Sequence, residues 1–295
     1  MNMELTVNDN SGRSMAEMMG VDTSAGPQKT SSLARLNILH TALMGEVEVA
    51  GKLRNTEVLP VGTFSLKIGE DIIYVAKPSI RIFAMRQQYA KWDAENNKMD
   101  RTVLANDLKS DLKESRGAFN IGRPLGFVTD WENLPQKTKD IMRVVKRTKV
   151  LFGTIKINGG AMNSNGEPIK GYDDEIPFIL DIKNNTSIKC LDAAVKSISK
   201  TGAMPIAYTV ELGSIAESMP TGATFATMTF TVKNKVDLIE EDSTTFQSFL
   251  DWIEWSNTFI LAGTNIINKI WVLVMKTWSQ TLLTSKEPLF NGEVI

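Results

Sequence analysis

RTKVLFGTIKI (147–157), the polar NGGAMNSNGEPIKGYDD (158–174), EIPFILDIK (175–183) and SIKCLDAAVKSISKTG (187–202) follow one another in the middle of the chain, and their reading decides the fold. The first and third are apolar runs rich in β-branched residues and bounded by turn formers, which predicts two strands joined by a long loop. The fourth sets Ile188, Leu191, Ala194, Val195 and Ile198 at helical spacing. Asn184, Asn185 and Thr186 are candidate caps before it, and Gly202 is its stop. Gly153, inside the first strand, marks a bulge or a close approach of backbone.

Upstream, SIRIFAMRQQY (79–89) alternates Arg81, Phe83 and Met85 with Ile80, Ile82 and Ala84. This predicts a strand with a basic, aromatic face that Tyr89 and Trp92 extend. Phe64 to Ala76 reads as a hairpin turning at Gly69–Glu70–Asp71. Between Trp92 and Phe119 the chain is charge-rich and predicts a partly helical excursion, lightly buried through Val103, Leu104, Leu108 and Leu112. IGRPLGFVTDW (121–131) reads as a punctuated strand, and LPQKTKDIMRVVKR (134–147) as a short helix with Pro135 in its first turn. Strands at 205–212 and 224–233 close the domain.

From Ser79 the order is strand, insertion, strand, strand, helix, strand, strand. That predicts an α+β, mainly β chain: an OB-fold-like barrel with a helical insertion over residues 31–236, after a mobile tail at 1–30. Residues 237–295 begin with the acidic run DLIEED (237–242) and continue as a long hydrophobic helix over 243–282 that carries Trp252, Trp255, Trp271 and Trp278. So much apolar surface predicts packing on a second copy, with folding back onto its own barrel as the competing arrangement. The acidic run is a candidate recruiter of protein partners.

One cysteine (Cys190) removes intrachain disulfides and multi-cysteine metal sites, and one histidine (His40) removes most metal constellations and lowers the expectation of a Ser-His or Cys-His hydrolase, so no cofactor or metal site is read. The N-terminus lacks the apolar run of a signal peptide, and the apolar stretch 258–278 is interrupted by Asn265, Asn268, Lys269 and Lys276. Both features predict a cytoplasmic protein without a membrane span. The net charge of −1 conceals segregation: from Lys77 to Lys156 there are 17 Lys/Arg against 9 Asp/Glu, while the remainder holds 16 against 25. A basic segment among acidic surroundings points to a phosphate-bearing partner. The plainer reading is a solvated surface with scattered lysines.

LPVGTFSL (59–66), GFVTDWENLP (126–135), FGTIKI (152–157), PFILDIKNNTSIKCLDAAVKSI (177–198) and ATMTFTVKN (226–234) together resemble single-stranded-DNA-binding proteins of tailed bacteriophages over about Leu59 to Asn234. The resemblance implies an OB-fold, binding of single strands without sequence preference, a role in phage DNA replication or recombination, and the host cell cytoplasm. Such proteins often end in a disordered acidic tail. This chain departs from that pattern by ending in the hydrophobic helix.

Single-strand binding needs cations along the backbone and flat rings on which bases stack. The candidates are Arg81, Phe83, Arg86, Tyr89, Trp92, Arg123, Trp131, Arg147, Lys149, Phe152 and Lys156. Each ring could equally serve the core. Two other classes remain open. Asp181-Ile182-Lys183, with Asp173, Asp174 and Glu175 upstream, has the carboxylate-x-lysine arrangement of Mg-dependent PD-(D/E)xK nucleases. A β-rich chain with a hydrophobic terminal helix also suits a virion structural or assembly protein.

Overall fold

The computed structural model describes residues 33–49, 52–126, 128, 130–157, 160–172, 174–218, 222 and 224–284, with the side chains of 47–49 and 263–284 left aside. The expected tail at 1–30 lies outside these residues. The elements are β1 (Ala34–Ile38), β2 (Leu43–Val49), β3 (Lys52–Leu59), β4 (Phe64–Ile68), β5 (Asp71–Val75), β6 (Ser79–Asp93), β7 (Lys98–Arg101), α1 (Gln136–Val144), β8 (Lys146–Lys156), β9 (Ile176–Ile182), α2 (Asn185–Ser199), β10 (Tyr208–Ser218), β11 (Thr224–Lys235) and α3 (Glu240–Thr284). The chain is therefore mainly β with helices added, as the periodicity predicts.

β2 and β3 form a separate hairpin; the other strands make one mixed sheet in the order β11-β10-β6-β8-β9-β1-β4-β5, with β7 on the free part of β6. Only the β1–β9 pairing is parallel. The ladder ends at β11 and β5, so the sheet is not a hydrogen-bonded closed barrel. It curls nonetheless. The backbone N–H of Ala226 on β11 donates to His40 Nδ1 just after β1, at 3.2 Å. A Cβ on Gly62, beside β4, would lie 2.2 Å from Ser214 Oγ of β10, which leaves room there only for hydrogen.

The curl encloses the larger core, in which Leu36, Phe64, Leu66, Ile73, Leu151, Phe178, Leu180, Val210 and Leu212 meet Leu191 and Ile198 of α2. Asn184 caps α2 as its position predicts, accepting from the N–H groups of Thr186 and Ser187, at 2.7 and 3.4 Å. On the opposite face a second core joins Phe83, Val150, Phe152 and Ile179 to Phe249 and Ile253 of α3. Of the two readings of Gly153 the structure has the close approach: the bulge itself is on β6, at Phe83 between Ile82 and Ala84, which pair with Gly153 and Phe152. A Cβ on Gly153 would stand 2.1 Å from the carbonyl oxygen of Arg81.

Two local expectations change. Residues 92–119 contain no helix: β7 and the Gln87–Ala105 bridge tie the excursion to β6, and the Thr102–Glu114 bridge ties it to itself. Leu104 is buried in the core it shares with Phe249 and Ile253, and Leu112 beside Tyr89 and Val145, rather than by a helical stripe. The described residues of 121–131 form no strand: Asn120, Ile121 and Gly122 all adopt positive φ (54°, 55° and 75°) and turn the chain back. The first turns of the hydrophobic helix pack on its own sheet. Phe249 is fully buried there against Phe83, ring centroids 5.5 Å apart, and Phe152, at 6.0 Å.

Candidate nucleic-acid interface

A cavity of about 610 Å³ opens where the ends of β8 and β9 meet α1, the first residues of α2 and the 123–131 loop. Its wall carries Arg123, Lys146, Arg147, Lys183 and His40, with Trp131 beside them, and no carboxylate among the described residues. Each cation is placed by a local feature of the fold.

Arg123 follows the positive-φ turn. Its Nη1 donates to the carbonyls of Met142 (2.9 Å), in the last turn of α1, and Val145 (2.7 Å), just past its end, which gives them the cationic donor that a helix C-terminus lacks. Its guanidinium stands 5.9 Å from the centroid of the Tyr89 ring. Burial, and then the neighbouring Arg147 charge, lower its pKa. Arg147, second in β8, donates through Nη2 to the carbonyl of Gly126 at 2.7 Å. Both arginines are thus held by backbone carbonyls. No acidic side chain neutralises either of them among the described residues, and the Nε of each is buried without a partner.

Lys146 begins β8 and Lys183 follows β9, so both are exposed at strand ends. Lys183 is immediately succeeded by the cap of α2, whose N-terminus adds the partial positive charge of its dipole. His40 accepts at Nδ1 from Ala226, so its neutral form carries the proton on Nε2. Trp131 is 41% exposed, enough ring for a base to reach.

Of the eleven sequence candidates the cavity gathers Arg123, Trp131 and Arg147. Arg81 is buried under α3, where Asp242 accepts from both of its terminal nitrogens, at 2.7 Å each. Phe83 and Phe152 lie in the core beneath the same helix, and Tyr89 is fully buried, so none of these rings offers a face to a base. Arg86 is half-buried; it donates to the Met85 carbonyl, and burial lowers its pKa. Lys149 pairs with Asp192 of α2. Lys156 is exposed at the other end of β8, nine residues from Arg147 and so roughly 30 Å away at about 3.3 Å per residue. Trp92 is 54% exposed near the end of β6. The acidic run is not wholly free to recruit a partner, since Asp242 is engaged with Arg81; hydrogen bonds from that arginine hold its carboxyl below the usual range.

Lys183 and His40 escape a reading by local charge because each is isolated in sequence. For Lys183 a signal was present: a cation between an apolar strand and a helix cap sits where anions collect. Asp181, the carboxylate of the D-x-K arrangement, is claimed by Arg101 (3.1 Å) and Arg35 (3.6 Å). No described helix is long and apolar enough to cross a membrane. No known family, curated protein or solved structure matches the chain.

Proposed function

We propose that this protein binds single-stranded DNA without sequence preference, in support of phage DNA replication or recombination. The observation that carries the reading is the cavity wall: four Lys/Arg side chains, two of them arginines fixed by carbonyls, with an exposed indole and no carboxylate beside them. Such a wall costs free energy through mutual repulsion, and an anion relieves it. Trp131 adds a flat surface for a base.

The OB-fold relation is supported by the order β6, excursion, β8, β9, α2, β10, β11 and by the curl that brings β11 to His40. The extra strands and the open ladder depart from it. Binding is favoured over Mg-dependent nuclease chemistry because Asp181 already holds two arginines. Self-association through α3 retains support from Phe246 and Phe259, 38% and 68% exposed on the described part of the helix. A virion assembly role would use the same surface, but it leaves the cationic cavity without a purpose.

The test is anisotropy titration of labelled oligothymidylate, the matching duplex and oligouridylate at two salt concentrations. Preferential single-strand binding with a log–log salt slope of up to about −3, from four cations at roughly 0.7 each, and quenching of Trp131 in a variant retaining only that tryptophan, support the reading. Equal retention of duplex, or no retention at low salt, overturns it.

A further inference from the structure

The cavity is a beginning rather than a whole path. Lys146, on its wall, pairs across the sheet with Ala90, and Ala90 pairs on its other side with Arg101 of β7. Two cations therefore flank one small residue in a single row, about 10 Å apart across two strand spacings. Two residues along β6 lies Trp92, paired with Met99. Because residues alternate along a strand, Ala90 and Trp92 share a face. Arg101 is anchored from the far side, its Nη2 3.1 Å from Asp181 Oδ2, and Arg35 reaches the same oxygen at 3.6 Å. Asp181 faces two guanidiniums, each with donors to spare, since an arginine carries five. The row is net positive and ends on an exposed ring.

On the reading of the cavity as a single-strand site, we infer that a strand leaving it crosses the sheet at the Lys146–Ala90–Arg101 row, a phosphate against Arg101 and a base stacked on Trp92. The cavity then holds one end of a longer contact, and affinity grows with strand length until the row is filled. Asp181 is a positioning residue in this arrangement: it holds Arg101 over the sheet without touching the strand.

The experiment compares a trimer with a 20-mer of oligothymidylate, on the full chain, for wild type, Trp92→Ala and Arg101→Gln. The wild type is expected to prefer the 20-mer, and each variant to lower the ratio of 20-mer to trimer affinity by about tenfold. Arg101→Gln should also make the 20-mer salt slope shallower by about 0.7, the change for one lost phosphate contact on a single strand, whereas Trp92→Ala should leave the slope as it is. An unchanged ratio in Trp92→Ala overturns the path while leaving the cavity reading standing; that exposed side chain can be removed without unfolding the chain if Arg101→Gln proves unstable. Absence of wild-type binding to both oligomers overturns the cavity reading and the path together.

Discussion

Arg81 and Arg147 come from the same basic stretch, lie on adjacent strands, and face opposite situations. Arg81 is buried beneath α3 in a two-pronged bond with Asp242 and stands 5.4 Å from the centre of the Phe83 ring, so its charge is spent inside the fold. Arg147 is held by the carbonyl of Gly126 and looks into a cavity that contains no carboxylate among its described residues. A carboxylate partner neutralises a guanidinium, whereas a carbonyl orients it and leaves its charge available. What sets Arg81 apart from Arg147 is burial beneath a helix with a carboxylate on both terminal nitrogens; Arg101, only partly buried, shares the single carboxylate of Asp181 with Arg35.

The largest expected effect breaks the buried side. Asp242→Asn removes the two-pronged counter-charge of the buried Arg81 and leaves it only the partly exposed Glu175 carboxylate, 3.8 Å from Nη1; a loss of roughly 3 kcal/mol, the lower end for a broken buried pair, should show in denaturant unfolding, with oligonucleotide affinity of the folded protein unchanged. The pH dependence has a definite sign. Asp242 titrates below its unfolded value of about 3.9, so between the two values the unfolded chain binds more protons than the folded one. The stabilisation is complete above about pH 4 and is lost as pH falls through the depressed value. The Asn variant should lack that acid-side component; an identical acid profile would show that the ion pair contributes nothing there.

Next in size, Gly153→Ala pushes a methyl against the backbone of Arg81, 2.1 Å from its carbonyl oxygen. A loss of about 2–3 kcal/mol, in the range of overpacked sites, is expected in thermal or denaturant melts. A neutral result would mean that the β6–β8 bulge is not fixed, and that the burial of Arg81 does not depend on it.

Much of this contrast was legible only on one side. β6, β8, β9 and α2 follow from alternation and helical spacing, and Asn184 from its place before an apolar stripe. Arg81 belonged to the alternating face as expected, but its partner is 161 residues away. Local charge counting cannot see a carboxylate delivered by a terminal helix. The cavity was half visible: Arg123, Trp131 and Arg147 fall within one basic segment, while Lys183 and His40 arrive through sheet pairing and curl. The loop that positions Arg123 was misread as a strand because it depends on Ile121 in a left-handed conformation, which side-chain propensity disfavours.

On the cavity side, Arg147→Gln removes a charge with no acidic partner and should cost about 1.5 kcal/mol of single-strand affinity, roughly tenfold. The salt slope should become shallower by about 0.7. Stability should move by less than about 1 kcal/mol, because only one bond to a backbone carbonyl is lost. A large loss of stability without loss of affinity would invert the comparison and make Arg147 the structural arginine.

The smallest expected effect sharpens it. Lys149 and Lys156 share β8 with Arg147, and composition treats the three alike. Lys149 is paired with Asp192, whose side chain is 53% exposed, and such surface pairs contribute at most about 1 kcal/mol. Lys156 lies at the opposite end of the strand, far from the cavity wall. Lys149→Gln and Lys156→Gln should therefore each leave single-strand affinity within about 0.5 kcal/mol of wild type, the ordinary scatter of surface substitutions. Replacing all three together should weaken binding no more than Arg147→Gln alone. If the triple variant instead loses affinity and slope in proportion to three charges, the strand is bound along the length of β8, and the cavity is only one part of a footprint set by the whole basic stretch.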